Sequence, residues 1–154
     1  MAPLVIDTLD SLSNYIGREI ATTGWIQVSQ TQIQQFADAT GDHNWIHIDA
    51  ERARRESPYG TTIAHGFLTL SLISQFANQA LQVQGGVRMT INYGLNRVRF
   101  PSPVRVDSRI RARITLQAVT DRGDCTEAVY SVTVEAGDAD KPCCVAEWIL
   151  RYYP

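Results

Sequence analysis

The chain has 154 residues, 44% of them apolar, and a formal net charge of -2. That length suits one domain spanning 1–154, able to bury about two thirds of its unfolded surface. The charge balance excludes a general nucleic-acid binder, which would be strongly basic. No apolar run approaches the roughly 20 residues needed to cross a bilayer. The first residues, Met-Ala-Pro-Leu-Val-Ile-Asp, lack a basic region ahead of an apolar one, so the expectation is a cytoplasmic protein without a secretory signal.

In chain order, a short helix is predicted over Asp10–Ile16, ending at Gly17, followed by a strand over Glu19–Val28 with Trp25 and Ile26 near its centre. Ser29-Gln-Thr-Gln32 has the spacing of a capping box, and Ile33, Phe36 and Ala37 recur at helical period behind it. Gly41 is placed to stop that helix. Asp49 is an N-cap candidate for a charged helix through Glu51–Glu56, broken by Ser57-Pro-Tyr-Gly60.

From Phe67 to Val83 the chain is apolar nearly all round, which predicts a buried helix ended by Gly85-Gly86. Beyond it the pattern is strand-like. Val104, Val106, Ile110, Ala112, Ile114, Leu116 and Ala118 alternate with Arg105, Asp107, Arg109, Arg111, Arg113, Thr115 and Gln117, a half-buried strand with a wet basic face. Turns at Asp121–Asp124 and Gly137–Asp140 lead into strands over Ala128–Ala136 and Cys143–Tyr153. One buried helix followed by consecutive antiparallel strands is an α+β arrangement. A sheet wrapped around a central helix satisfies both patterns.

Cys125, Cys143 and Cys144 form no disulfide framework. Neighbours on a strand point to opposite faces, so Cys143 and Cys144 are read as reduced thiols.

Chemistry concentrates between Ala39 and Leu70, which hold all three histidines, His43, His47 and His65. Asp42 and His47 lie five apart, just past the helix-stopping glycine, an arrangement suited to moving protons. Gly66 opens the apolar helix, where backbone N–H groups and the helix dipole favour a developing negative oxygen. His43 and His47 have the i, i+4 spacing of a zinc pair. No glutamate lies between them, they follow a helix stop, and no third ligand is fixed, so no metal is expected. No phosphate-cradling glycine loop is present, and no cofactor is expected.

Gly41-Asp42-x-Asn44-x-x-His47-x-Asp49, followed by Ala64-His65-Gly66 at a helix start, resembles the motif of the MaoC-like dehydratases, the R-specific enoyl-CoA hydratases. Trp45-Ile46 and Ile91–Pro101 are similar to the NodN-like branch, although Trp45 stands where many relatives carry proline. The likeness runs from about Asp7 to Tyr153. It implies the hot-dog fold, a homodimer, and reversible hydration of a trans-2-enoyl-CoA to the (R)-3-hydroxyacyl-CoA. It further implies that Asp42 and His47 activate water and deliver the proton while the Gly66 amide polarises the thioester.

Several residues carry two readings. Ser74 matches a family serine that bonds the catalytic aspartate, or it bonds back to its own helix. Asn44 fixes the loop or touches substrate. Arg97 and Arg99 meet CoA phosphates or belong to a solvated strand face. Two other function classes stand beside the lyase: a hot-dog thioesterase, and a non-catalytic acyl-CoA-binding partner subunit.

Overall fold

The computed structural model describes residues 2–154. In chain order the elements are β1 (Leu4–Thr8), a 3-10 segment (Asp10–Tyr15), β2 (Glu19–Thr22), β3 (Ile26–Gln27), α1 (Gln30–Thr40), α2 (Trp45–Ile48) and α3 (Ala50–Glu56). They continue with α4 (Gly66–Ala80), β4 (Leu81–Gly85), β5 (Met89–Arg99), β6 (Arg109–Asp121), β7 (Thr126–Ala136) and β8 (Cys144–Tyr153). The main sheet is antiparallel in the order β2-β6-β7-β8-β5, with β3 also pairing β6.

The sheet wraps α4 in the hot-dog arrangement. Leu68, Leu72, Ile73, Phe76 and Ala77 are the buried face of the helix. Against them the sheet presents every second residue of three strands: Ile110, Ala112, Ile114 and Leu116; Ala128, Tyr130, Val132 and Val134; Ala146, Trp148, Leu150 and Tyr152. The period of two in those strands and the helical period in α4 meet in one apolar core. On the outer face two of the three β6 arginines, Arg111 and Arg113, are partnered. Arg113 reaches Glu19 at 2.6 Å and Arg111 reaches Glu135 at 2.8 Å.

Four expectations need correction. Helix α4 ends at Ala80, and Leu81–Gly85 is a strand that pairs in parallel with β1, Leu4 opposite Leu81 and Ile6 opposite Val83. Half-buried Leu81 and Val83 alternate with exposed Gln82 and Gln84, a period of two that closes the helix early. A Cβ on Gly85 would lie 2.7 Å from the Asp7 carbonyl oxygen, so glycine is needed there for close strand approach.

The Glu19–Val28 strand is broken at residues 23–25. The Thr23 hydroxyl accepts from the Ala112 amide at 2.9 Å, replacing a ladder carbonyl, and Trp25 turns out to 41% exposure beneath the Arg111 guanidinium. Strand β6 starts at Arg109, because Asp107 adopts a left-handed φ of 65°. Residues 104–106 instead pair with 62–64: the Ala64 amide donates to Val104 O at 2.8 Å and the Val106 amide to Thr62 O at 3.0 Å. That short bridge fixes the approach to α4. Finally, Phe67 is not a core residue, being 69% exposed.

Strand β5 is a sheet edge carrying exposed Met89, Ile91, Tyr93 and Leu95. Among the described residues, no helix is long and apolar enough to cross a membrane.

Candidate active site

Helix α1 aims the loop that holds Asp42 and Asn44. Ser29 Oγ accepts from the Gln32 amide at 3.2 Å at its start. At its end Gly41 takes a φ of 77° and its amide donates to Ala37 O at 2.8 Å. The left-handed glycine turns the chain sharply into Asp42. Asp42 Oδ1 accepts from the Asn44 amide at 3.3 Å, and Asn44 Oδ1 accepts from the Ile46 amide at 3.4 Å. Asn44 is therefore the N-cap of α2, the single turn that carries His47. The next turn begins on Asp49, whose carboxylate accepts from the Arg52 amide at 2.9 Å.

His47 is held from two sides. Its Nδ1 lies 2.8 Å from the Ile63 carbonyl oxygen, which can only accept, so Nδ1 carries the hydrogen. The neutral ring then presents an unprotonated Nε2. The Gln30 side-chain amide donates to the His47 carbonyl at 2.8 Å. Burial pushes the imidazole below the usual histidine value, and the adjacent His65 acts in the same direction.

The two loop segments meet here. One carboxylate oxygen of Asp42 and one ring nitrogen from each of His47 and His65 lie within 4.8 Å of one another. The Asp42 side chain is 54% exposed, whereas His65 is only 3% exposed. His43 is excluded from the cluster. It turns outward to Asp38 Oδ1 at 2.8 Å, and that hydrogen bond raises its pKa.

Gly66 begins α4 beside this group. His65, its N-cap, makes no side-chain capping bond, and the Gly66 and Phe67 amides have no acceptor among the described residues. A Cβ at Gly66 would lie 3.1 Å from the Phe100 ring. A cavity of about 290 Å³ opens at this point, lined by Tyr59, Ile63, Gly66, Phe100 and Val104 among others.

Three sequence candidates lie elsewhere. Ser74 Oγ accepts from Asn92 Nδ2 at 3.5 Å and makes no hydrogen bond to Asp42, because it lies two turns along α4 from the loop. Neither of its two expected partners is used. Asn92 is itself fixed by accepting from Trp148 Nε1 at 2.7 Å. Arg97 and Arg99 are exposed at the end of β5, just ahead of Phe100, and Arg99 donates to Val98 O at 2.7 Å.

Three supporting groups were barely signalled by motif or spacing. His65 appeared as a neighbour of Gly66, and its side chain proves to be part of the cluster. Gln30 and Thr62 have no motif of their own, yet Thr62 Oγ1 donates to Gln30 Oε1 at 2.6 Å behind His47.

A family model described as MaoC like domain matches residues 11–138. The chain is 48% identical over 147 residues to the 3-hydroxyacyl-thioester dehydratase Z of Mycobacterium tuberculosis, covering 95% of this chain and 96% of the relative. It is 46% identical over 143 residues to nodulation protein N of Rhizobium leguminosarum, covering 92% and 89%. The chain belongs to the MaoC-like family.

A solved MaoC-like dehydratase from Rhodospirillum rubrum superposes with a TM-score of 0.73 over 96% of this chain and 97% of that one, at 18% identity, so the fold is shared. In this MaoC-like chain the acid–imidazole cluster is a poor metal site. The His47 and His65 rings stack at 3.8 Å with 25° between their planes. A metal must lie close to the plane of each imidazole, about 2.0–2.1 Å from its nitrogen. Near-parallel planes that far apart share no such point, and one nitrogen of each ring already faces a backbone carbonyl.

Proposed function

We propose that this MaoC-like protein catalyses the reversible, R-specific hydration of trans-2-enoyl-CoA thioesters. The observation that carries the reading is the approach of the Asp42 carboxylate and a ring nitrogen of His47 to within 4.8 Å. One water spans that distance with two hydrogen bonds of about 2.8 Å.

The water donates to His47 Nε2 and to Asp42. As its oxygen attacks the β-carbon, the pair accepts a proton and passes one to the α-carbon. Water is added across the double bond and the pair returns to its starting state. Charge moves to the thioester oxygen meanwhile, and the uncapped amide of Gly66 at the start of α4 is the donor assigned to it. Asn44, as the cap of α2, positions the loop. Ser74 is left without a part in supporting Asp42. The thioester class agrees with the name of the mycobacterial relative, and the R configuration is that of the family.

The active form is proposed to be a homodimer built on β5. An edge strand with exposed Ile91, Tyr93 and Leu95 is suited to pairing with a second copy. Arg97 and Arg99, close to the Phe100 side of the cavity, are proposed to meet CoA phosphates. Three buried free cysteines suit the reducing cytoplasm.

The test follows the conjugated band of crotonyl-CoA and of a longer trans-2-enoyl-CoA, with wild type and Asp42→Asn in parallel. Loss of the band without free thiol, reduced by about 100-fold or more in the variant, is the expected result. An unchanged band, or release of CoA from a saturated acyl-CoA, defeats the hydratase and favours binding or thioesterase activity.

A further inference from the structure

His65 occupies a position where a helix ordinarily carries Ser, Thr, Asp or Asn, and it makes no capping bond. It is 3% exposed, and its Nδ1 is buried without any hydrogen-bond partner. Such a costly arrangement calls for a gain elsewhere.

The gain lies in what the ring touches. His65 Nε2 is 3.0 Å from the Asp42 backbone carbonyl oxygen. A carbonyl only accepts, so the hydrogen sits on Nε2, and a hydrogen on Nδ1 would find no acceptor. The ring stacks on His47 at 3.8 Å and packs on Phe36 at 4.9 Å. One side chain at the start of α4 thereby contacts α1, the Asp42 loop and α2 together.

We propose that His65 is a positioning residue: its Nε2–H fixes the main chain of Asp42 while its ring is the platform that orients His47. This rests on the hydration reading of the Asp42–His47 pair. Neither function needs His65 to exchange a proton, and its two roles separate by substitution. His65→Gln keeps an N–H donor at about the reach of Nε2 and gives up the stacked ring. His65→Phe keeps a ring and gives up the donor.

Steady-state hydration of crotonyl-CoA by both variants, with Asp42→Asn alongside, tests this. We expect His65→Phe to lower kcat by about 100-fold, the scale of an ångström-level displacement, with KM within about two-fold of wild type. His65→Gln recovers part of that loss. Wild-type kcat in His65→Phe, or a change confined to KM, overturns the inference while Asp42→Asn remains defective. If Asp42→Asn turns over normally, the hydration reading fails instead. Nitrogen-15 NMR of the wild-type imidazoles decides the geometry independently of activity and of whether either variant folds. An Nε2–H tautomer of His65 is expected, and an Nδ1–H tautomer overturns the inference.

Discussion

The side chain of Gln30 donates to the carbonyl oxygen of His47 at 2.8 Å, joining the first turn of α1 to the single turn that carries the imidazole. Gln30 also accepts from the buried hydroxyl of Thr62 at 2.6 Å. Truncating it leaves that hydroxyl and the His47 carbonyl to find new partners.

Gln30→Ala is therefore expected to lower stability by about 1–3 kcal/mol, the cost of an unsatisfied buried polar group. Because α2 is loosened, kcat should fall while KM for the enoyl thioester changes little. Denaturant unfolding and steady-state kinetics on the same preparation check both parts. Unchanged kcat in a destabilised protein would separate this bridge from the chemistry.

The pH profile should carry the mark of His47. Burial first, and His65 next, hold its folded pKa below the ordinary value of about 6.5. In the proposed mechanism the base form is the active one, so kcat/KM is expected to stay level down to about pH 6.5 and fall only at lower pH. The unfolded chain takes up this proton first. His47 therefore contributes stability above about pH 6.5, and that contribution is lost as pH falls through the lower, folded value. His43 is raised by Asp38 and works in the opposite sense, its contribution fading as pH rises through its folded value. His43→Gln should remove that second titration and leave the acid limb of kcat/KM in place. A limb that moved with His43→Gln would contradict the assignment.

Gly66→Ala places a methyl group 3.1 Å from the Phe100 ring. Phe100 is 41% exposed, so the ring has room to give way and the fold should survive. A displaced ring or helix start misaligns the amide assigned to the thioester oxygen, and a loss of about 10-fold or more in kcat is expected. Gly66→Ala combined with Phe100→Ala should regain part of it if the clash is the cause. The double variant matching the single one would locate the defect in the backbone.

A charge on the β5 edge tests the dimer. Ile91→Asp or Leu95→Asp places an unpaired carboxylate on the exposed apolar edge, which would be desolvated in an interface. Light scattering at micromolar concentration should move from twice the chain mass for wild type to the chain mass for the variant. A wild-type monomer would remove the proposal outright.

What the sequence revealed was mostly local. Ser29, Gly41 and Asp49 act within a few residues of themselves, so their capping and stopping roles were legible from spacing. The alternation in Ile110–Leu116 was equally plain, because one face of that strand is buried along its length. The pairing of Leu81–Gly85 with Leu4–Thr8 was not legible, since a short Leu-Gln-Val-Gln run extends a helix as readily as it forms a strand. Only the distant partner decides between them. The site divides the same way. Asp42, His47 and Gly66 fall in a compact motif, whereas Ser74 was placed by motif and meets Asn92 of β5 instead. The importance of the His65 side chain depends on a contact with a residue 23 positions away.

Helix α2 has four residues, too few to persist on its own in water. Its order is supplied by neighbours: Asn44 at its start, Gln30 on its carbonyl, and Ile63 through both the Ile46 carbonyl and the His47 ring. The turn that carries His47 is therefore expected to open together with these neighbours, as one local unit. Amide exchange across residues 44–48 and 62–64 would follow one common opening free energy, smaller than that of global unfolding. Warming the protein would then silence catalysis through this patch while the sheet around α4 was still intact.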